Sequence, residues 1–133
     1  MSQENVEIAK RLMDAYNRRD VDAYVDCATP DFELVPVFVG AVEGGSYQGR
    51  EGIERVFEAT RDTWDDYRIV ADEFRDLGDR VLMVGRAEGR GRSSGVSVDA
   101  PFGSVVDFRG GKISRIRSYL DHDEALRAAD LSE

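Results

Sequence analysis

The sequence is short of several things, and each shortage closes off a class of function. Its 133 residues include one cysteine, Cys27, and one histidine, His122. A single thiol cannot form an internal disulfide, which fits a reducing compartment. One imidazole cannot supply the paired histidines of a usual zinc site, nor more than one Ser–His–Asp or Cys–His arrangement. No run reaches the roughly 18 apolar residues of a membrane-spanning helix. Met1-Ser2-Gln3-Glu4 lacks the basic start and apolar stretch of a secretion signal. Cytoplasmic residence is the expectation. Positive charge is also in deficit, with 18 Lys+Arg against 27 Asp+Glu and a net charge of −9. A field of that sign repels phosphate backbones and anionic headgroups, so neither nucleic acid nor a membrane is an expected partner.

What is present suffices for one core. Apolar residues make up 41% of the chain, too many for a disordered segment. A chain of this length buries roughly two thirds of its unfolded surface, so a single domain over 1–133 is expected.

Hydrophobic spacing predicts a first helix with Val6, Ala9, Leu12, Met13 and Tyr16 on one face. Glu4 and Glu7 near its start and Arg18 and Arg19 near its end suit the helix dipole. Asp20 is placed to cap a short second helix carrying Val21, Tyr24, Val25 and Ala28, which Thr29-Pro30 should stop. Residues 32–39 read as a short bent or edge strand around Pro36. A loop over 41–49 carries Gly44-Gly45 and Tyr47. Ile53, Val56, Phe57, Thr60 and Trp64 mark a third helix. Strands then follow over 67–77, 80–92, 96–109 (with a break expected at Pro101) and 112–120. Gly78-Asp79 signals a hairpin between the first two. A closing helix starting near Asp121 or Asp123 carries Ala125, Leu126 and Ala129. Helices first and hairpin-linked strands later argue α+β rather than a parallel βαβ arrangement.

This order of elements resembles the nuclear transport factor 2-like (ketosteroid isomerase-like) superfamily, and within it the SnoaL-like proteins of bacteria. Residues 15–23 (AYNRRDVDA), 47–53 (YQGREGI), 78–81 (GDRV), 111–121 (GKISRIRSYLD) and Glu124-Ala125-Leu126 carry the resemblance. It implies a cone: a curved, mixed, mainly antiparallel sheet wrapped around three N-terminal helices, with a short C-terminal helix. It also implies a homodimer paired through the outer sheet face. Val81, Met83, Val84, Val105 and Val106 put apolar residues on both faces of central strands, consistent with a covered sheet. A hollow between helices and sheet is the default site for a small, mainly hydrophobic molecule. No cofactor or metal is implied.

The catalytic acids of the relatives are not matched. The isomerase base falls on Val35 and the acid of its oxyanion hole on Ser104, while the helix-one tyrosine falls on Leu12, one turn before Tyr16. The late-strand acid of SnoaL-type cyclases has Ser118 as its nearest inward position. Ser104 and Ser118 also leave the Asp-Arg-Asp relay of the epoxide hydrolase without carboxylates. Strand alternation from Val35 turns Glu33 and Val37 inward; from Ser104 it turns Phe102, Val106 and Phe108 inward; Ile116, Ser118 and Leu120 share the inner face of the last strand. The expected ligand lining is therefore Leu12, Val35, Tyr47, Trp64, Phe102, Ser104, Val106, Ile116, Ser118 and Leu120. Glu33 and Tyr16 are the acid–base candidates, Glu33 being either a buried general base or an ion-paired surface residue. Uncharacterised proton-transfer chemistry of isomerase or cyclase type competes with a non-catalytic binding or dimerisation module.

Other signals have plainer accounts. Asp121-His122-Asp123-Glu124 reads as a helix start, not a metal site. Cys27 reads as a packing residue. The run Gly89–Gly95 has the wrong spacing for a phosphate loop and instead suggests a strand that bends. Arg86, Glu88, Arg90 and Arg92 alternate as a charged stripe, one arginine of which could reach a ligand carboxylate.

Overall fold

The computed structural model describes residues 2–36 and 46–131. The expected strand residues 37–39, the inward placement of Val37 and Gly44-Gly45 lie outside them. The first helix, α1 (Ser2–Arg18), turns its apolar stripe inward, burying Ala9, Leu12, Met13, Ala15 and Tyr16. It ends where Arg19 takes a left-handed conformation, φ 57°. The Asp20 N–H then bonds the Ala15 carbonyl (3.0 Å) and the Arg19 N–H that of Tyr16 (3.1 Å). Glycine usually fills such a position, because a β-carbon costs about 1 kcal/mol there. Here the arginine side chain offsets that cost: Nη1 donates to the Tyr16 carbonyl at 2.6 Å and Nη2 to the Tyr67 carbonyl at 2.7 Å. Asp20 caps α2 (Val21–Asp26) by accepting from the Ala23 N–H, as its position in the sequence predicts.

Six strands form one sheet: β1 (Ala28–Val35), β2 (Tyr47–Gln48), β3 (Arg68–Asp76), β4 (Arg80–Arg90), β5 (Ser97–Arg109) and β6 (Lys112–Tyr119). Their order is β2-β1-β6-β5-β4-β3, and β1 runs parallel to β6 while every other pair is antiparallel. Between β2 and β3 lies α3 (Gly49–Thr63); α4 (His122–Leu131) closes the chain. The fold is α+β with a curved mixed sheet. Three expectations are corrected. The first strand begins at Ala28, four residues early, because α2 already ends at Asp26. Tyr47-Gln48 is not loop but a short edge strand. β5 runs unbroken through Pro101, which pairs with Arg86 on β4. The β6 pairing extends only to Gly103, so Pro101 sits where β5 has a single neighbour and its missing N–H costs no ladder bond.

Helices α1–α3 cover the inner face. Tyr16, Tyr24, Phe32 and Phe57 meet edge-on or tilted, with centroids 5.5–6.4 Å apart. Asn17 fastens α1 to β3 by bonding both backbone groups of Ile69, each at 2.9 Å. On the outer face, α4 packs Ala125 and Ala129 on Leu82 and Val105. Arg80 donates to the Ala129 carbonyl (2.8 Å), and the His122 ring contacts the Gly85 carbonyl (2.9 Å). The apolar character of both faces of β4 and β5 thus has a cause within one chain: helices lie on each side. Among the described residues, no helix is long and apolar enough to cross a membrane.

Candidate functional site

Between α1, α2 and the inner sheet face lies a small cavity. Leu12, Met13 and Tyr16 enter it from α1 and Tyr24 from α2. Leu34 and Pro36, Tyr67 and Ile69, Phe102 and Ser104, and Ile116 and Ser118 complete the wall. Each pair is two residues apart, as the pleat of extended chain dictates, with Pro36 just past the end of β1 and Tyr67 just before β3. The walls are apolar apart from five hydroxyls, and among the described residues no charged side chain lines them. Ser104 and Ser118 stand opposite each other on β5 and β6, their oxygens 3.4 Å apart. The volume is about 20 Å³, room for roughly one water molecule.

The hydroxyl groups are neutral donors. Burial pushes the Tyr16, Tyr24 and Tyr67 phenols above their ordinary range. Tyr16 and Tyr67 hydrogen-bond each other, and the Arg19 guanidinium lies over both rings, 5.4 and 5.8 Å from their centroids. That positive charge acts against the burial effect on both phenols without overcoming it. Chemically, the lining can donate hydrogen bonds to an oxygen atom. It holds no group that is a strong base near neutral pH.

Of the residues singled out in the sequence, Leu12, Tyr16, Phe102, Ser104, Ile116 and Ser118 come together here. Glu33 and Val35 do not. The face of β1 is reversed relative to the expectation: Phe32 and Leu34 are buried, and Glu33 points outward to pair with Arg115 at 3.1 Å. Register explains it, since Leu34 pairs with Ile116 and Glu33 with Arg115 across the parallel β1–β6 ladder. Val106 does face inward but lies in the packed core away from the cavity. Tyr47 packs against the core margin, and Trp64 stacks on Tyr67 outside the chamber. Leu120 lies past the end of β6 and is 41% exposed, which corrects its inward assignment.

Tyr24, Tyr67, Met13, Leu34, Pro36 and Ile69 complete the wall without having been singled out. Tyr24 was visible on the apolar face of α2. Tyr67 carries no such signal: it opens the expected strand over 67–77, to which no inward face is assigned, and in the structure it stands just before β3.

Comparisons with known proteins agree with this architecture. The sequence matches the SnoaL-like domain family over residues 9–116. A solved NTF2-like protein of Burkholderia thailandensis E264 superposes with a TM-score of 0.78 at 26% identity, covering 94% of this chain and 95% of that one. A putative SnoaL-like polyketide cyclase from Jannaschia sp. CCS1 gives 0.71 at 22%, covering 96% and 91%. A protein of ketosteroid isomerase-like fold from Catenulispora acidiphila DSM 44928, solved in complex with trimethylamine, gives 0.73 at 18%, covering 94% and 93%. No functionally curated protein matches.

Proposed function

The chain belongs to the SnoaL-like domain family, whose fold is associated with small-molecule binding and with cyclase or isomerase chemistry, and from that premise we propose that it binds a small, mainly apolar molecule bearing one oxygen function. The observation that carries this reading is the lining itself: apolar walls, the facing Ser104 and Ser118 hydroxyls, and a neutral Tyr16–Tyr67 pair. Such a wall rewards burial of hydrocarbon and one hydrogen-bond acceptor, as preformed ligand sites do. Proton abstraction is the weaker half of the family's repertoire here. Glu33, the carboxylate that could have served as base, is held outside by Arg115.

Ligand entry must enlarge a chamber of about 20 Å³. Met13 is the wall residue suited to moving, because its unbranched thioether changes rotamer at low cost. Cyclohexanone tests the reading. It should raise the melting temperature of the protein, and Ser104→Ala with Ser118→Ala should weaken it roughly three- to tenfold, the worth of one neutral hydrogen bond. Leu12→Ala, which widens the chamber, should tighten it. Failure of cyclohexanone to bind either the wild type or Leu12→Ala would remove the reading.

The small volume favours a second reading, a non-catalytic module that pairs with its own copy. The homodimer belongs to both readings. Since α4 already covers Leu82 and Val105, the pairing surface must include α4, where Leu126 is 38% exposed. Sedimentation at micromolar concentration should give twice the 14.9 kDa chain mass, and Leu126→Glu should halve it. A wild-type monomer would dismiss the dimer.

A further inference from the structure

A second concavity lies outside the chamber, on the far side of Tyr67. It is an open groove of about 490 Å³ where the C-terminal end of α3 meets the end of β4. Its floor is aromatic: Trp64 stacks on Tyr67 with centroids 5.6 Å apart and planes 30° from parallel. Gly89 seats that pair, since a β-carbon there would come within 3.1 Å of both rings. The glycine was expected to let a strand bend; close approach of two rings is what requires it.

The rim is cationic, on a chain whose net charge is −9. Arg19, Arg61, Arg90 and Arg92 line the groove against Asp65 and Asp66. Most arginines elsewhere pair with a carboxylate, and Arg92 does so with Asp65 at 3.0 Å. Among the described residues, Arg19, Arg61 and Arg90 have no carboxylate within ion-pair distance. Arg19 spends its N–H groups on backbone carbonyls, so it contributes field rather than contact. Burial and, to a smaller extent, the charge of Arg61 hold its pKa below the ordinary range, which places like charges close together. Arg61 and Arg90 are exposed and keep their forks free.

The groove is also held in shape. Arg92 donates from Nε to the Arg61 carbonyl (2.8 Å) and from Nη2 to that of Trp64 (3.1 Å). The Asp65 N–H donates to the Arg90 carbonyl at 2.8 Å, and the Arg92 N–H to that of Thr63 at 2.8 Å. Residues from α3 and β4 are thereby fixed around one opening. Four guanidiniums against two carboxylates leave the groove an excess of positive charge, and a guanidinium fork suits a carboxylate in bidentate geometry. A flat ring beside it would stack on the indole.

We propose that this groove binds a planar organic carboxylate, its anion held by Arg61 and Arg90 and its ring laid on Trp64. The site is separate from the chamber and does not depend on what the chamber binds. Trp64 is the single tryptophan of the chain, so its fluorescence reports the groove directly. Benzoate should quench it saturably in the millimolar range, more tightly at low salt, whereas benzamide, the neutral counterpart, should not. Arg61→Gln with Arg90→Gln should fold normally, since neither side chain has a partner to lose among the described residues, and should weaken benzoate at least tenfold. Benzoate without saturation, benzamide binding as well as benzoate, or unchanged affinity in the double variant would each overturn the proposal. Inorganic phosphate competing as strongly as benzoate would overturn the ring's part in it.

Discussion

Gly85→Ala should lower the stability of this protein by about 3 kcal/mol, the upper end of what overpacking a filled site costs. Gly85 is buried in β4 and pairs with Ala71 of β3, beside the bulge where the register skips Asp72. A β-carbon there would run into the Val70 carbonyl oxygen and come within 2.9 Å of the Ala71 Cα. These are backbone atoms, so no side chain can rotate away and the β3–β4 ladder itself must shift. The Gly85 carbonyl also meets the His122 ring at 2.9 Å, so the shift reaches the start of α4. For a domain of this size, the loss corresponds to a fall in melting temperature of about 10 °C. Gly95→Asn is the control. Gly95 has φ +71° with nothing within 4 Å of its missing β-carbon, and asparagine tolerates that conformation, so a change of about 0.5 kcal/mol or less is expected. Thermal melts of the two variants, with amide exchange read along β3 and β4, decide the matter. A Gly85→Ala protein melting within about 2 °C of the wild type would show that the ladder absorbs the extra carbon freely.

The elements were legible in the sequence where local chemistry alone decides them. The stripe of α1, the Asp20 cap and the Gly78-Asp79 hairpin all follow from spacing and side-chain type, and the structure has each of them. The inward positions of Ser104 and Ser118 come from the family resemblance, and alternation carries them to Phe102 and Ile116, which the structure also turns to the cavity. β1 offered no such alternation after Phe32, because Leu34, Val35 and Pro36 are all apolar. Its face was anchored on Val35 through the family resemblance, and a slip of one residue reverses every side chain. The ladder partner fixes the correct choice: Glu33 beside Arg115 leaves Leu34 beside Ile116. Pairing between strands far apart in sequence carries that information, and a single strand does not. In the sequence Arg19 is only a charge at a helix end. Its left-handed backbone and its place over Tyr16, Phe57 and Tyr67 depend on β3 arriving beside α1, which Asn17 secures through Ile69.

The same aromatic packing should make the protein fail steeply in alkali. Tyr16, Tyr24 and Tyr67 are 9%, 1% and 6% exposed, and burial is the largest cause of the upward shift in each phenol. In the unfolded chain they release protons near pH 10; in the folded chain they hold them. Above about pH 10 the folded state therefore binds more protons than the unfolded one, and stability falls as pH rises. Below that pH the three contribute no slope. Each retained proton is worth about 1.4 kcal/mol per pH unit, so three together give a slope of roughly 4 kcal/mol per unit. A domain with ordinary stability of about 5–15 kcal/mol would unfold within a few units of pH 10. Cys27 adds loss of the same sign, its thiol being raised by burial. Denaturant titrations across that range measure the slope, and tyrosinate absorbance for these three should rise together with unfolding rather than ahead of it. Tyr24→Phe removes one buried phenol whose shift is dominated by burial, so its slope should drop by about a third. Tyrosinate signal from these residues in a protein that is still folded would mean that water reaches their hydroxyls, and the chamber would then be an open, wet site rather than a closed apolar one.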